Sequence, residues 1–169
     1  MIVMTLGTVS FQFNRAVVWL SILLERGVIS EPVFLQYGHS DISPVAGHPL
    51  VTLEPTVTSA ELIKLVDASD LVISHAGQGS TKMLAARGAH FVLIPRLKRY
   101  GEHVDDHQLW FAKSVASFGI KSILSVEELE KAVLLPPSHF QGELFNDPKL
   151  TEYLLTQYPP EKQTVQWSE

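Results

Sequence analysis

Residues 71–81 read LVISHAGQGST, and this stretch decides the fold expected for the whole chain. It opens on an apolar run rich in β-branched residues, which predicts a buried strand. The Gly-x-Gly-Ser that follows predicts a tight turn into a helix beginning near Ser80. The first N–H groups of a helix lack partners within it and carry the positive end of its dipole. The junction therefore predicts a phosphate-binding site.

The residues suited to such a site are His75, Gly77, Gly79, Ser80 and Thr81. The glycines let the backbone approach a diphosphate without a Cβ in the way, and the two hydroxyls add donors. His75 ends the strand, where it is placed to aim an imidazole N–H at the same oxygens. Glycines at strand-to-helix turns also serve close packing alone, so other parts of the chain have to agree.

The composition narrows the possible functions. A chain of 169 residues suits one domain, and 46% hydrophobic with 18% charged residues is typical of a globular protein. The net charge of -5 argues against a nucleic-acid binder, which needs clustered Lys and Arg. The chain has no cysteine, which excludes disulfides and thiolate chemistry. No apolar run approaches the ~20 residues of a membrane span, so we expect a cytoplasmic protein.

Strands and helices alternate along residues 1–135. We predict strands at residues 2–6, 33–38, 50–53, 71–75, 91–95 and 120–124, and helices at 14–26, 58–67, 80–87, 103–118 and 126–135. The strands are short and apolar, and several end on glycine. This pattern predicts an α/β, Rossmann-like domain over residues 1–135, a parallel sheet with helices on both faces. Ligands of such folds bind outside the carboxyl ends of the strands.

Residues 136–169 are predicted to form a C-terminal tail. Its residues 150–155, LTEYLL, have the pattern of a short amphipathic helix. This helix either packs back on the domain or docks on a second protein, because exposed Leu, Tyr and Trp side chains are otherwise a liability.

Several motifs in combination make the pattern specific. They are residues 74–80 (SHAGQGS), Gly88, and residues 93–96 (LIPR), 101–103 (GEH) and 106–108 (DHQ). Together they resemble the C-terminal domain of glycosyltransferase family 28. The chain start, with TLGTVSF at residues 5–11, resembles more narrowly the stand-alone donor-binding subunits of two-part enzymes. These include the catalytic subunit of the eukaryotic UDP-GlcNAc transferase acting on dolichol-linked sugar, and bacterial exopolysaccharide counterparts.

The resemblance implies half of a GT-B enzyme, a Rossmann-like domain that holds a UDP-sugar as substrate and needs no cofactor. A membrane-anchored partner subunit then recognises a polyprenyl-linked sugar acceptor, in polysaccharide or glycolipid biosynthesis, and recruits this chain to the cytoplasmic face of the membrane. The alternative is a non-catalytic nucleotide-sugar-binding or partner-stabilising subunit. Met83 favours this alternative, because the family usually has there a Glu that accepts hydrogen bonds from the ribose hydroxyls.

The resemblance also implies roles for individual residues. His75, Gly77, Gly79 and Ser80 match the segment that holds the diphosphate, and Gly7 and Thr8 match the turn that faces the cleft. His107 and Gln108 match the polar pair that binds the hydroxyls of the donor sugar. Glu102 and His103 match a loop close to that sugar.

Glycosyl transfer needs a stabilised leaving diphosphate and a deprotonated acceptor hydroxyl. His75 and the helix N–H groups suit the first task. Candidates for the base are His39, Glu102 and His103, unless the partner provides it. On a helix over residues 103–118, Asp105 lies off the face shared by His103 and His107, so we predict no metal site.

Overall fold

The structure is a computed structural model that describes residues 1–142 and residue 144. The strands are β1 (Ile2–Thr5), β2 (Val33–Gln36), β3 (Val51–Glu54), β4 (Leu71–His75), β5 (Phe91–Ile94) and β6 (Lys121–Ser122). The helices are α1 (Asn14–Glu25), α2 (Ser59–Asp67), α3 (Gln78–Ala86), α4 (His107–Val115) and α5 (Val126–Leu134). The strands form one parallel sheet in the order β3-β2-β1-β4-β5-β6. The predicted Rossmann-like fold is confirmed.

Each face of the sheet has its own core, because successive side chains of a strand point to opposite faces. Ile2 and Met4 of β1 pack on one face with α1 and α5. Val3, between them, packs on the other face with apolar residues of α2, α3 and α4. The central strands β1, β4 and β5 are therefore covered on both sides, which explains why they lack the polar alternation that the edge strand β3 (VTLE) shows.

The strand order reverses between β1 and β4, and this reversal positions the site. The chain moves outward from β1 to β2 and β3, and outward in the other direction from β4 to β5 and β6. Thr5 of β1 pairs with Ser74 of β4, so the two strands end side by side. The loops that follow β1 and β4 diverge from this point, which leaves a crevice at the carboxyl edge of the sheet.

Two helices begin at residues other than those predicted. Helix α3 begins at Gln78, two residues before Ser80. Helix α4 begins at His107, and the predicted first turn over residues 103–106 is irregular. The Asp105 carboxylate accepts the His107 backbone N–H at 3.1 Å, and the Asp106 carboxylate accepts the Lys98 N–H at 2.9 Å. These side-chain hydrogen bonds to the backbone compete with helix formation and delay its start.

A buried guanidinium joins the loops at the crevice. Arg96, directly after β5 and Pro95, has no solvent exposure. Its Nη2 donates to the Leu6 carbonyl at 2.8 Å, and its Nη1 donates to the carbonyls of Phe11 and Glu102 at 2.7 and 3.1 Å. The group also lies over the Phe13 ring, 4.7 Å from its centroid. Arg96 thus ties the end of β1 to the loop between β5 and α4.

A second guanidinium holds the same loop from α1. Arg15 forms a two-pronged ion pair with Glu102, with N–O distances of 2.9 and 2.8 Å. It also donates to the Pro95 carbonyl at 2.8 Å. The second oxygen of Glu102 accepts the Leu97 backbone N–H at 2.8 Å. Both carboxylate oxygens therefore have partners, and the loop is fixed against α1.

The chain beyond α5 returns to the sheet. Phe140 donates its N–H to the Ala89 carbonyl at 3.2 Å, and its ring lies 6.1 Å from that of Phe91. Leu144 is buried in the second core. The described part of the predicted tail therefore packs on the domain, whereas the predicted helix at residues 150–155 lies outside the described residues. Within the described part of the chain, no helix is long and apolar enough to cross a bilayer.

We predict that Glu102→Gln lowers the free energy of unfolding by about 3 kcal/mol, because it leaves the Arg15 charge without a carboxylate in a site where both side chains are largely buried. Asp67→Asn is the matched control. It breaks the ion pair with Arg87, whose side chains are 44% and 40% exposed, and is expected to cost less than about 1 kcal/mol. Urea unfolding of the three proteins measures the difference. A Glu102→Gln protein as stable as the native chain would contradict this structural role.

Candidate functional site

The candidate site lies where β1, β4 and β5 end. It is formed by the loop from Gly7 to Phe13, the turn at Ala76 and Gly77, and the loop of residues 95–106. The carboxyl ends of neighbouring parallel strands meet at one edge, so these segments lie around one crevice.

The start of α3 faces this crevice without a side-chain cap. Gly77 precedes the helix in an extended conformation (φ −81°, ψ 131°) and provides no capping side chain. The first hydrogen bond of the helix joins the Thr81 N–H to the Gly77 carbonyl at 2.9 Å. The N–H groups of Gln78, Gly79 and Ser80 precede it and lack partners within the helix. Gln78 and Gly79 are exposed and Ser80 is partly exposed, so an anion can reach these donors.

Thr81, predicted as a substrate-binding residue, does not present its hydroxyl to the crevice in this structure. The side chain is fully buried, and its hydroxyl donates to the Gly77 carbonyl at 2.9 Å. This orientation follows from the helix start. Because α3 begins two residues earlier than predicted, Thr81 lies one turn inside the helix, where Thr commonly bonds to the carbonyl four residues back.

His75 lies between two glycines at the end of β4. Its Nδ1 is 3.3 Å from the Thr5 carbonyl, which can only accept, so Nδ1 carries the proton. In the neutral ring Nε2 is then a hydrogen-bond acceptor. A Cβ on Gly7 would lie 2.9 Å from Nε2, and a Cβ on Gly77 would overlap this atom. These two glycines thus make room for the imidazole, whereas a Cβ on Gly79 meets nothing within 4 Å.

The charge state of His75 changes the role expected for it. The pKa of His75 is lowered to about 4, mainly by burial and in smaller part by the nearby Arg96 charge, while the hydrogen bond to Thr5 opposes both. The ring is therefore neutral at pH 7. The expectation that His75 aims an N–H at phosphate oxygens does not fit this tautomer, because the N–H points to Thr5.

The loop between β5 and α4 contributes the other predicted residues. Glu102 is buried and both its oxygens have partners, an arrangement that suits a positioning residue better than a base. The Gln108 side chain is also buried, and its Oε1 accepts the Arg96 N–H at 3.2 Å. His107 is more open, with 43% of its side chain exposed. His103 is partly buried and its ring stacks on Phe11 at 5.5 Å.

The remaining predicted residues lie on exposed loops around the crevice. Thr8 is exposed in the loop after β1. His39, in the loop after β2, is exposed as well, and its Nδ1 lies 3.2 Å from the Val9 carbonyl. The structure thus brings the β1 and β2 loops together at this side of the site.

Sequence reasoning missed three polar residues that organise the site, Gln36, Arg15 and Arg96. The Gln36 side chain accepts the Gly7 N–H at 3.0 Å and donates to the Gly7 carbonyl at 3.0 Å, which fixes the turn after β1. Two signals were available. Gln36 interrupts an apolar strand, and Arg96 follows five apolar residues directly. A polar side chain within such a run must have a partner when buried.

We predict that the free energy of unfolding of the native chain falls between pH 7 and pH 5, and that the fall is about 2 kcal/mol larger than in the His75→Gln variant. The folded chain has a His75 pKa of about 4 instead of 6.5, so the unfolded chain binds more protons between these values. The stabilisation is complete above pH 6.5 and is lost as the pH falls towards 4. Urea unfolding at the two pH values measures it. Equal losses in both proteins would show that His75 titrates normally in the folded state.

Solved structures of glycosyltransferases resemble this fold. The kitacinnamycin glycosyltransferase is 20% identical, with a TM-score of 0.56 over 78% of this chain and 33% of its own. SnogD from Streptomyces nogalater is 18% identical, with a TM-score of 0.55 over 79% and 34%. MurG from Acinetobacter baumannii is 22% identical, with a TM-score of 0.51 over 76% and 39%. This chain therefore spans between a third and two fifths of their length and corresponds in fold to one part of each.

No curated protein matches the chain. The family model of the glycosyltransferase family 28 C-terminal domain matches residues 1–140, which include the whole sheet, the start of α3 and the loop between β5 and α4. The chain belongs to this family.

Proposed function

We propose that this domain is the donor-binding half of a glycosyltransferase and holds the diphosphate of a UDP-sugar at the start of α3. The observation that carries the proposal is the uncapped helix start in the crevice where the strand order reverses. Family membership and the fold of the structural relatives support the same conclusion. The N–H groups of Gln78, Gly79 and Ser80, with the Ser80 hydroxyl, are the donors that face the developing charge of the leaving group.

His75 has a different task in this proposal from the one its position first indicated. Its neutral Nε2 accepts a hydrogen bond, so it binds a hydroxyl of the donor and does not neutralise phosphate. Glu102 positions the loop through Arg15 and is not the base. Proton abstraction from the acceptor then falls to His39, His103 or a group of the partner. His107 and Gln108, to which the resemblance assigns the donor-sugar hydroxyls, are the first two residues of α4, and His107 is the more accessible of the two.

We further propose that a membrane-anchored partner subunit supplies the acceptor-binding half and that the acceptor is a polyprenyl-linked sugar. The structural relatives are more than twice as long as the part that this chain matches, so the match accounts for only one part of each relative. Exposed apolar side chains surround the crevice, namely Val9, Tyr100, Val104 and Trp110. Such residues suit contact with another protein surface.

A second candidate is a nucleotide-sugar-binding or partner-stabilising subunit without catalytic activity. Met83 favours this candidate, because its side chain packs against the second core and its thioether cannot accept hydrogen bonds from both ribose hydroxyls. Transfer of sugar from a UDP-sugar by the chain with its partner decides between the two. Binding of UDP without transfer supports the second candidate, and transfer supports the first.

We predict that UDP binds the purified chain and that Gly79→Ala weakens this binding at least tenfold while the protein stays folded. The added Cβ meets no protein atom, so its effect falls on the ligand. Ala60→Gly is the control, since Ala60 occupies the matching second position of α2, away from the crevice. Calorimetric titration measures the affinities, and circular dichroism verifies folding. Unchanged affinity in Gly79→Ala would place UDP elsewhere.

We predict that Trp110→Ser weakens association with the partner subunit and leaves UDP affinity unchanged. Trp110 is 64% exposed in the first turn of α4, beside the crevice. Phe118→Ser is the control, because Phe118 is 50% exposed just beyond the opposite end of α4. Pull-down of the co-expressed partner and UDP titration provide the two measurements. Equal losses in the two variants would contradict an interface at the crevice.

A further inference from the structure

Three potential metal ligands converge beside the crevice, on the loop between β5 and α4. One ligand atom each from His103, Asp105 and His107 lies within 4.8 Å of the other two. The Asp105 Oδ1 is 2.5 Å from the His107 Nδ1 and 3.4 Å from the His103 Nδ1. A single carboxylate oxygen thus lies close to both imidazoles.

His103 provides a second, independent observation. Its Nδ1 is buried and makes no well-aligned hydrogen bond among the described residues; its acceptor neighbour, the Asp105 Oδ1 at 3.4 Å, is already bonded to His107. The ring is held in place, stacked on Phe11 at 5.5 Å and edge-on to His107 at 4.4 Å. Leaving a buried polar atom without a partner costs free energy, so such an atom in a fixed ring needs an explanation. An ion between the three side chains provides one.

The metal-free prediction depended on a helix that does not exist at these residues. On a helix over residues 103–118, Asp105 would point away from the two histidines. Helix α4 begins only at His107, and the preceding loop turns so that Asp105 reaches both rings. The geometric argument against a site is therefore wrong.

We propose that His103, Asp105 and His107 bind a divalent transition-metal ion of the Zn²⁺ class. Two imidazole nitrogens and one carboxylate oxygen form a donor set that suits Zn²⁺ or Co²⁺, whereas Mg²⁺ and Ca²⁺ prefer oxygen ligands alone. Asp105 and His107 are 50% and 43% exposed, so a fourth position is open to water or another ligand. The site needs no nucleotide and does not depend on the proposed function.

The alternative is a hydrogen-bonded cluster that fixes the loop without an ion. In that arrangement the His107 Nδ1–H donates to Asp105, and the His103 Nδ1 stays unpaired. The two arrangements use the same side chains, but only one responds to added metal.

The test is a titration of the full chain, purified without a polyhistidine tag, with Co²⁺ alone. We expect one equivalent to produce the visible absorption bands of a four- or five-coordinate site, and Zn²⁺ to abolish them. Asp105→Asn and His107→Ala should each weaken Co²⁺ binding at least tenfold. Both residues are accessible, so the fold should tolerate these changes, which circular dichroism verifies.

His48→Ala is the matched control, because it removes a partly exposed histidine in the loop between β2 and β3 and should leave binding unchanged. Absence of the absorption bands in the native chain would overturn the proposal. Binding that persists equally in Asp105→Asn and His107→Ala would overturn it as well, since the ion would then lie elsewhere. UDP titration in the absence of metal tests the proposed function separately.

Discussion

The buried guanidinium of Arg96 is the constraint on which the candidate site depends. It has no solvent exposure, and its hydrogen bonds go to three backbone carbonyls, those of Leu6, Phe11 and Glu102. Burial lowers its pKa to about 10, so the group remains charged at neutral pH. A buried charge is tolerated when hydrogen bonds compensate it, and here Nη1 and Nη2 donate to carbonyls of the two loops beside the crevice, whereas Nε has no partner among the described residues. Because loss of these hydrogen bonds would leave a buried charge without compensation, they hold both loops in position.

Arg15 and Glu102 extend this constraint to the helix after β1. Their ion pair joins α1 to the loop that presents His103, Asp105 and His107. The side-chain Oε1 of Gln108 accepts the backbone N–H of Arg96 and adds a further link between this loop and α4. The conformation of the loop thus follows from contacts with β1 and α1 more than from its own sequence. A loop held in this way can present side chains to a ligand with little loss of conformational entropy on binding.

Glycines at the crevice have separate physical roles that their sequence motif does not distinguish. Gly7 and Gly77 leave space for the imidazole of His75, whereas Gly79 borders open space at the start of α3. His75 in turn is neutral, and its N–H is directed to Thr5. The helix N–H groups therefore remain as the donors for an anion, and the imidazole provides an acceptor beside them. This arrangement is the basis of our proposal that the ligand combines a diphosphate with hydroxyl groups.

Local sequence patterns are enough to predict the fold and the edge of the sheet at which the crevice lies. Apolar strands alternating with helices indicate a covered parallel sheet, and the strand-glycine-helix junction of residues 71–81 is local, so it could be predicted from neighbouring residues, although α3 begins at Gln78, two residues before the predicted Ser80. The start of α4 could not, because hydrogen bonds of Asp105 and Asp106 to the backbone outweigh helix propensity there.

Only the tertiary structure decided which side chains are available for chemistry. Glu102 meets Arg15 across 87 residues of sequence, and Arg96 meets Leu6 across 90. The tautomer of His75 depends on Thr5, 70 residues away. Periodicity and spacing report on neighbours along the chain. They do not show which residues, distant in sequence, come into contact when β1 pairs with β4 and β4 with β5. Those contacts set the charge, orientation and accessibility of the site residues.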